Sequence, residues 1–447
     1  MLVAEYNKAK FVTALARYRR TPGHWSSIDV DEGKRRFAMS GTPETRVFLA
    51  SHHQKTCVVD GEVAFCGGMD ITPLALDNPT HATRRHPFRK GENDLSWHDL
   101  HARLEGDVVI DLERNFRERW NLELLAFSAR IGGFAAVMPA KGELPFSALT
   151  PIRDPGRRTG RTPGTDAAQV LRTISADKAG QFVPEIKRED IFEAYARAIG
   201  GAEQYVYLEN QYFRSTPLTD AIIARHAEAP RLQVILVIPV APEELTDLAA
   251  ADPKALHPVA VQIKELKRLQ AALGPNFGVF SLVLPQRARR RKFTDVAGSP
   301  QLYVHSKICI VDDEFATIGS ANANGRSFAM DTELNVGWFQ RSHVKRFRID
   351  LWRHLLGRAA ADVDTWPATA FTATWRAIAT TNLLAPPAAR SGFVVPHDFA
   401  ALDAVAKEMP LVPPTFIDIA DILPESASPD LVSADESRDE LAAAPLS

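Results

Sequence analysis

The second half of the chain alternates short apolar runs with amphipathic stretches, a pattern typical of strands that alternate with helices. Strands are predicted at 170–174, 205–208, 232–238, 277–284 and 333–338. Helices are predicted at 188–199, 217–227, 259–273 and 344–356. In the first half, the same patterns predict a strand at 100–104 and a helix at 109–126. This order indicates an α/β sandwich with mixed sheets.

The run 303–312, Tyr-Val-His-Ser-Lys-Ile-Cys-Ile-Val-Asp, predicts one strand that ends at an acidic turn. Residues two apart on a strand project from the same face, so His305 and Lys307 project together. Asp312 is an odd number of positions from both, so we expect it to face away or to lie in the turn. A histidine beside a fixed positive charge suits a phosphoryl group. Alone the pair is a weak indication, because a lone strand histidine is more often packed or on the surface.

The same pattern occurs earlier in the chain, displaced by 252 positions (305 − 53). Residues 53–64, which contain His53, Lys55 and Asp60, match residues 305–316 in the order of histidine, lysine, cysteine, valine, aspartate, glutamate and alanine. Glycine follows at 67 and at 319. Self-similarity on this scale indicates a duplicated structural unit. Two copies in one chain can face each other across a pseudo-two-fold axis, as the subunits of a symmetric dimer do.

We therefore expect a first unit at 1–137, a connection rich in Pro, Gly, Arg and Thr at 138–165, and a second unit at 166–364. The extension at 365–447 is expected to be acidic and mobile toward its end, at 421–440. Only 52 residues precede His53, whereas the second unit begins well over a hundred residues before His305. Either the first unit is built smaller or the chain starts late relative to the full coding frame. The late start is favoured, and it would leave the first sheet short of edge strands.

Composition and charge argue against several classes of protein. With 447 residues, 45% hydrophobic and 24% charged, the chain is an ordinary globular protein, long enough for two cores. The net charge of −2 argues against a generally nucleic-acid-binding surface. Three cysteines form neither a disulfide framework nor a zinc pattern, so they are interpreted as small buried hydrophobic residues. No apolar run is long enough to span a bilayer, and the amino terminus shows no secretory signal.

Two further groups of residues leave alternatives open. Basic clusters at 84–90 and 287–292 each lie near one of the histidine–lysine motifs. They are either solvated loops or a rim that attracts an anionic head group or membrane surface, and the two interpretations are about even. His98 and His101 could form a metal-binding pair, but no third ligand is near in sequence. A packed or hydrogen-bonded role is therefore favoured for them.

The duplicated H-x-K-x4-D motif with its glycine flanks resembles the phospholipase D superfamily. Residues 97–106 with 116–120 resemble the segment after the first motif of the plant and animal phospholipases D, and bacterial relatives share this type. Residues 209–213 resemble their segment between the motifs. Residues 319–327 with 331–333 resemble their segment after the second motif. The resemblance covers about residues 46–357.

The resemblance implies two similar α/β units related by a pseudo-two-fold axis, with one active site at their interface. It implies His53 as the nucleophile that forms a phosphohistidine and His305 as the general acid. Charge on the non-bridging oxygens would be stabilised by Lys55, Lys307 and Asn322. Glu333 is expected to orient His305, and Asp99 is the candidate partner of His53. Supporting roles are expected for Asp60, Asp312, Gln211, Ser320 and Asn324, of which Asp60 and Asp312 would brace turns. Asp70 takes the place of Asn322 in the first copy. No metal or cofactor is implied.

The leading functional hypothesis is a phospholipase D that hydrolyses a glycerophospholipid such as phosphatidylcholine to phosphatidic acid and a head-group alcohol, with alcohol transfer as a side reaction. The alternatives are a phosphatidyltransferase similar to cardiolipin synthase and a catalytically impaired membrane-binding protein. Cardiolipin synthases usually carry N-terminal membrane helices and a different second-motif flank. The expected partners are a phospholipid at a membrane surface and water or a primary alcohol as acceptor. We expect a monomer that binds no nucleic acid, and the sequence leaves open whether it is cytoplasmic or exported.

Overall fold

The computed structural model describes residues 27–30, 37–40, 45–47, 52–70, 77–81, 96–130, 166–174, 188–241, 256–288 and 294–398. Three regions discussed above lie outside the described residues: the connection at 138–165, the acidic tail at 421–440, and most of the two basic clusters.

The described strands are β1 (Ser27–Val30), β2 (Phe37–Ser40), β3 (Thr45–Val47), β4 (Thr56–Val59), β5 (Val63–Gly67), β6 (Trp97–His98), β7 (His101–Glu105), β8 (Ala168–Ile174), β9 (Arg188–Glu189), β10 (Tyr205–Glu209), β11 (Phe213–Arg214), β12 (Gln233–Val237), β13 (Phe277–Val283), β14 (Gln301–Val304), β15 (Ile308–Val311), β16 (Phe315–Gly319), β17 (Ala323–Asn324), β18 (Glu333–Trp338) and β19 (Val394–Pro396). The described helices are α1 (Val108–Arg130), α2 (Asp190–Gly200), α3 (Thr216–Glu228), α4 (Leu256–Leu273), α5 (Arg341–Leu356) and α6 (Phe371–Leu384). Among these helices, none has the length and apolar character that a bilayer crossing requires.

One mixed sheet of eleven strands organises the second unit, in the order β6-β14-β13-β12-β10-β15-β16-β18-β8-β9 with β19 beside β13. Its centre, β10, β12 and β13, is parallel, and β10 and β12 are buried at every position. Successive residues of a strand point to opposite faces of the sheet. Tyr205 and Tyr207 pack in the core toward α5 and α6, whereas Val206 and Leu208 pack in the core toward α2, α3 and α4. The predicted α/β sandwich is confirmed.

The reactive strand predicted at 303–312 is in fact two strands. β14 pairs with β13 and β15 pairs with β10, so the sheet places them apart and residues 305–307 link them. The prediction of a single strand was wrong because the backbone N–H groups of His305 and Ser306 both donate to the carbonyl of His98, at 2.8 and 3.1 Å, instead of continuing a ladder. By register, this link lies at the carboxyl ends of β10 and β12. In open α/β sheets this end is where ligands bind.

The first unit is described as a smaller sheet, β4-β5-β7, covered by α1, and β1–β3 form a separate antiparallel sheet of three strands. The duplication is visible in the backbone. The β4–β5 turn has positive φ at Asp60 and Gly61, and the β15–β16 turn has it at Asp312 and Asp313. Positive φ at both central residues is the conformation of a tight hairpin turn. The mixed α/β character and the two-unit organisation expected from the sequence agree with this arrangement.

Two further expectations were wrong: where the second unit ends, and that all three cysteines are buried. The second unit does not end at 364, because α6 packs Trp375 against Tyr207 and Trp352, and β19 joins the main sheet beside β13. Cys57 is exposed, whereas Cys66 and Cys309 are buried as expected. The reason is position in the sheet: β4 pairs with β5 alone in the described sheet, while β15 lies between β10 and β16.

Candidate active site

His305 lies in the link between β14 and β15 and is only 4% exposed. Its Nδ1 is hydrogen-bonded to Oδ2 of Asp99 at 2.7 Å, and its ring lies 4.5 Å from that of Trp97. Parallel pairing of β14 with β6 brings both partners from the first unit. Burial, together with the positive charges of Lys307, Lys55 and His53, holds the pKa of His305 well below its ordinary value. The imidazole is therefore neutral at neutral pH in the free protein.

His53 precedes β4 and is held by residues of the second unit. Its backbone N–H donates to the carbonyl of Thr332 at 3.0 Å, and its Nδ1 lies 2.9 and 3.0 Å from the two carboxylate oxygens of Glu333. Glu333 is fully buried and also accepts hydrogen bonds from the hydroxyls of Ser320 and Ser327, at 2.5 and 2.6 Å. This carboxylate fixes the orientation of the imidazole.

The two carboxylates therefore have exchanged partners relative to the prediction. Glu333 orients His53 rather than His305, and Asp99 orients His305 rather than His53. The prediction was wrong because it paired each histidine with a carboxylate of its own unit. In the fold, β6 crosses into the second sheet and residue 53 docks beside β18. In both cases the carboxylate engages Nδ1, which leaves Nε2 as the nitrogen that can react.

The two lysines have the same geometry in both copies. Nζ of Lys55 donates to the carbonyl of His53 at 2.8 Å, and Nζ of Lys307 donates to the carbonyl of His305 at 2.5 Å. Lys55 also pairs with Asp70 at 3.2 Å. Lys307 is fully buried, and burial lowers its pKa to about 8 although Asp99 opposes the shift.

Burial and the nearby cations act in opposite directions on the pKa values of the site's two aspartates. Burial raises the pKa of Asp99 to about 7, against the opposing effect of Lys307. Burial acts the same way on Asp70, but the charges of Lys55 and His53 outweigh it and hold the pKa of Asp70 below its ordinary value. Lys307 of the second unit thus acts on Asp99 of the first, and Lys55 and His53 of the first unit act on His305 of the second. The two motifs share one electrostatic site.

The remaining predicted residues divide into two groups. Near the site, Gln211 accepts from Lys307 at 3.3 Å, and Asn322 is buried with an Oδ1 that accepts no hydrogen bond within the described residues. Asn324 Oδ1 accepts from the N–H of Ser327 at 2.9 Å, in the first turn of the adjoining π-helical segment 326–330. Ser320 acts through Glu333.

Asp60 and Asp312 lie at the far ends of β4 and β15 from the histidines. Asp312 accepts from the backbone N–H groups of residues 203, 204 and 205, at 2.6, 2.9 and 2.7 Å. It therefore holds the chain at the start of β10, about one strand length from the reactive residues.

One buried carboxylate at the site was missed. Glu209 ends β10 and is fully buried, where it accepts from His98 Nε2 at 2.9 Å and from the hydroxyls of Tyr207 and Ser306, both at 2.5 Å. Because Ser306 lies between His305 and Lys307, its hydrogen bond to Glu209 holds the link 305–307 in place. The sequence signal was its place in the segment 209–213, but its partners His98 and Ser306 are 111 and 97 residues away in sequence.

Two models of known protein families match this chain. The family model described as "Phospholipase D" matches residues 17–219, and the model described as "Cardiolipin synthase, PLD-like domain" matches residues 195–355. The two matches together include both histidine–lysine motifs. The chain belongs to the phospholipase D superfamily. The relationship predicted from the motifs is confirmed.

Relatives of this superfamily member include plant enzymes. It is 28% identical over 406 residues to phospholipase D alpha 3 of Arabidopsis thaliana, covering 68% of this chain and 48% of the relative. It is 25% identical over 415 residues to phospholipase D alpha 1 of Brassica oleracea var. capitata, covering 69% and 49%. The chain thus spans about half the length of the curated relatives it matches.

Similar solved structures include phosphatidylserine synthase of Haemophilus influenzae, at 14% identity with a TM-score of 0.41, covering 68% of this chain and 62% of that one. NucT from Helicobacter pylori matches at 13% identity with a TM-score of 0.29, covering 42% of this chain and 96% of that one.

Proposed function

We propose that this member of the superfamily is a phospholipase D, which hydrolyses the distal phosphodiester of a glycerophospholipid to phosphatidic acid and a head-group alcohol. The observation that carries the proposal is the crossed pairing of His53 with Glu333 and of His305 with Asp99. It gives two oriented imidazoles, each with a lysine two residues away. That set supplies a nucleophile, an acid and charge stabilisation for a phosphoryl group.

In the first step, Nε2 of His53 attacks phosphorus, and the bond from phosphorus to the head-group oxygen breaks. The bound phosphodiester anion favours the imidazolium form of His305. That imidazolium donates its Nε2 proton to the departing oxygen, so the head group leaves as a neutral alcohol and His305 is left as a neutral imidazole. Lys55 and Lys307 face the charge on the non-bridging oxygens, and Asn322 adds a neutral donor. A positioned acid contributes about 10²–10⁴ in rate.

In the second step, water attacks the phosphohistidine while His305 accepts the proton of that water. The bond from phosphorus to Nε2 of His53 breaks, and phosphatidic acid leaves with the imidazole restored. A primary alcohol in place of water would give a phosphatidyl alcohol by the same proton transfer. Dividing one difficult displacement into two easier ones is the advantage of the covalent route.

The decisive assay incubates labelled phosphatidylcholine and a primary alcohol with the wild type, His53→Ala and His305→Ala. The wild type should form phosphatidic acid and the phosphatidyl alcohol, and both variants should lose at least about 10³-fold in rate. His343→Ala is the control, since this exposed histidine pairs with Asp166 away from the site. Lipid left intact by the wild type, or turnover retained in either active-site variant, would refute the proposal.

The roles of the two histidines need a separate experiment, because the low pKa of His305 would equally suit a nucleophile. An activated leaving group such as p-nitrophenolate departs without a proton. With a phosphatidyl p-nitrophenol, His305→Ala should still release a burst of p-nitrophenol, and His53→Ala should release none. The opposite result would exchange the two roles.

A second candidate function is phosphatidyl transfer to a lipid alcohol. The observation that favours it is the match of residues 195–355 to the cardiolipin synthase model. The chemistry at phosphorus is the same, and only the acceptor differs. Offering phosphatidylglycerol as both donor and acceptor distinguishes the two, since a synthase would form cardiolipin faster than phosphatidic acid.

A further inference from the structure

Three histidines from separate segments meet beside the candidate active site: His81, His98 on β6, and His354 on α5. One ligand nitrogen from each lies within 4.8 Å of the others, and the Nε2 atoms of His81 and His354 are 3.1 Å apart. Tetrahedral zinc with Zn–N bonds of about 2.05 Å holds its nitrogens about 3.3 Å apart. Small side-chain rotations would bring all three imidazoles to that spacing.

Two of the three imidazoles are also oriented as metal ligands usually are. Asp77 Oδ2 lies 2.9 Å from Nδ1 of His81, and Glu209 Oε2 lies 2.9 Å from Nε2 of His98. A carboxylate on the outer nitrogen fixes the tautomer and strengthens the ligand. It leaves Nε2 of His81 and Nδ1 of His98 as the nitrogens that can bind an ion. This outer arrangement is independent of the proximity of the three rings.

The three rings lie in largely buried surroundings. His81 and His98 are buried, and Phe393 packs against the rings of His81 and His354, with centroids 5.0 and 5.4 Å apart. Three nitrogen donors suit zinc or a similar first-row ion, whereas calcium and magnesium take oxygen ligands.

We propose that His81, His98 and His354 bind one zinc ion beside the catalytic link. The sequence analysis weighed His98 and His101 as a metal pair and favoured a packed or hydrogen-bonded role for both. The fold instead joins His98 to His81 and His354, and His101 accepts from the N–H of Met69. The ion would tie three segments together. Through Glu209 it would also brace Ser306, which lies between His305 and Lys307. The proposal goes beyond the proposed lipid activity and does not depend on it, since the ion takes part in no step of that reaction.

Metal binding is measured on the full chain without an affinity tag, after chelator treatment and dialysis. Zinc titration by calorimetry should give one equivalent, and cobalt(II) should give the visible absorption bands of a tetrahedral site. His354→Gln and His81→Gln should abolish both signals. Asp77→Asn keeps all three ligands and should weaken zinc affinity by about 10–100-fold.

The matched control is His343→Gln, which changes the same residue type on the same helix, eleven residues and about 16 Å along the helix axis from His354. It should bind zinc as the wild type does. Zinc should raise Tm of the wild type and of His343→Gln but not of His354→Gln, which shows at the same time that each variant is folded. A wild type that takes up no zinc, or a His354→Gln variant that binds it as tightly as the wild type, would overturn the proposal.

Discussion

Glu333 is the residue on which the orientation of His53 depends. Its side chain is fully buried and is surrounded by donors: the imidazole of His53 and the hydroxyls of Ser320 and Ser327. A buried carboxylate is stable only when such partners replace water. The same partners hold it rigid, so its negative charge is fixed where it can stabilise a positively charged His53. The residue therefore combines the demands of folding with those of the reaction.

Replacing Glu333 with Gln should lower kcat by about 10²–10⁴-fold with a much smaller change in KM. The amide can turn its N–H toward Nδ1 of His53, which would place the wrong tautomer at the substrate. The measurement is steady-state lipid hydrolysis. Glu314→Gln is the control, since Glu314 pairs with Arg341 on the surface. A Glu333→Gln variant with wild-type kcat would contradict the assigned role.

The buried Lys307 predicts an alkaline limit to activity. Burial lowers its pKa to about 8, so the ammonium charge is complete below that pH and is lost above it. We expect an additional, steeper fall in kcat/KM to begin above about pH 8. The limit for kcat should lie at higher pH, because a bound phosphate anion favours the charged lysine.

Lys307→Arg tests this assignment, because a guanidinium keeps its charge throughout the accessible range. Its absolute activity will be lower, but the additional fall in kcat/KM above pH 8 should be absent. An alkaline limit that is unchanged in Lys307→Arg would show that another group causes it.

At the scale of elements, a glycine permits the close packing of strands behind each reactive link. A Cβ added at Gly319, which ends β16, would lie 1.9 Å from Oδ1 and 2.4 Å from Cα of Asn335 on β18. At the equivalent Gly67, it would lie 2.2 Å from the carbonyl oxygen of Leu100. The glycine that follows each motif is therefore needed for packing rather than for chemistry.

Gly319→Ala should destabilise the protein by about 2–3 kcal/mol, because the backbone of β18 must shift. Gly200→Ala is the control, since a Cβ there meets nothing within 4 Å and should leave stability unchanged or raise it by up to about 1 kcal/mol. Thermal unfolding of both variants measures the difference. Equal Tm values would show that β18 yields without cost.

Strands and helices were predictable where one pattern dominates. β18 begins and ends where the sequence places it, and β10, a continuous apolar run, differs by one residue. The break between β14 and β15 was not predictable, because it depends on the carbonyl of His98 capturing two N–H groups. Local periodicity contains no information on such a contact. Helix α6 escaped detection because threonine and alanine interrupt its apolar face.

The site was predictable as a set of residues but not as a set of pairs. The repeat identified both histidines and both lysines, since identical motifs imply equivalent positions. His53 and Glu333 are 280 residues apart in the sequence, and His305 and Asp99 are 206 residues apart. Which carboxylate reaches which histidine is decided by how the two units dock. The cluster of His81, His98 and His354 was missed for the same reason.

At the scale of the whole molecule, neither unit completes its own site or its own core. β6 of the first unit lies in the main sheet, and Leu334 of β18 packs in the core of the first unit with Ala64, Val109 and Leu112. The interface that positions the two histidine–carboxylate pairs is thus also a packed interior. Disturbing the docking of the units should therefore affect stability and activity together.

A phosphate analogue should report on both units at once. Vanadate imitates pentavalent phosphorus, so its binding should use Lys55 of the first unit and Lys307 of the second. At about 100 times its Kd, vanadate would stabilise the wild type by about 2.7 kcal/mol, which corresponds to a rise in Tm of several degrees. Lys55→Ala and Lys307→Ala should each lose this rise, measured against the Tm of the same variant without vanadate. Lys345→Ala, an exposed position on α5, should keep it. If only one of the two active-site variants lost the rise, the anion would be held by one unit alone, and the shared site would be contradicted.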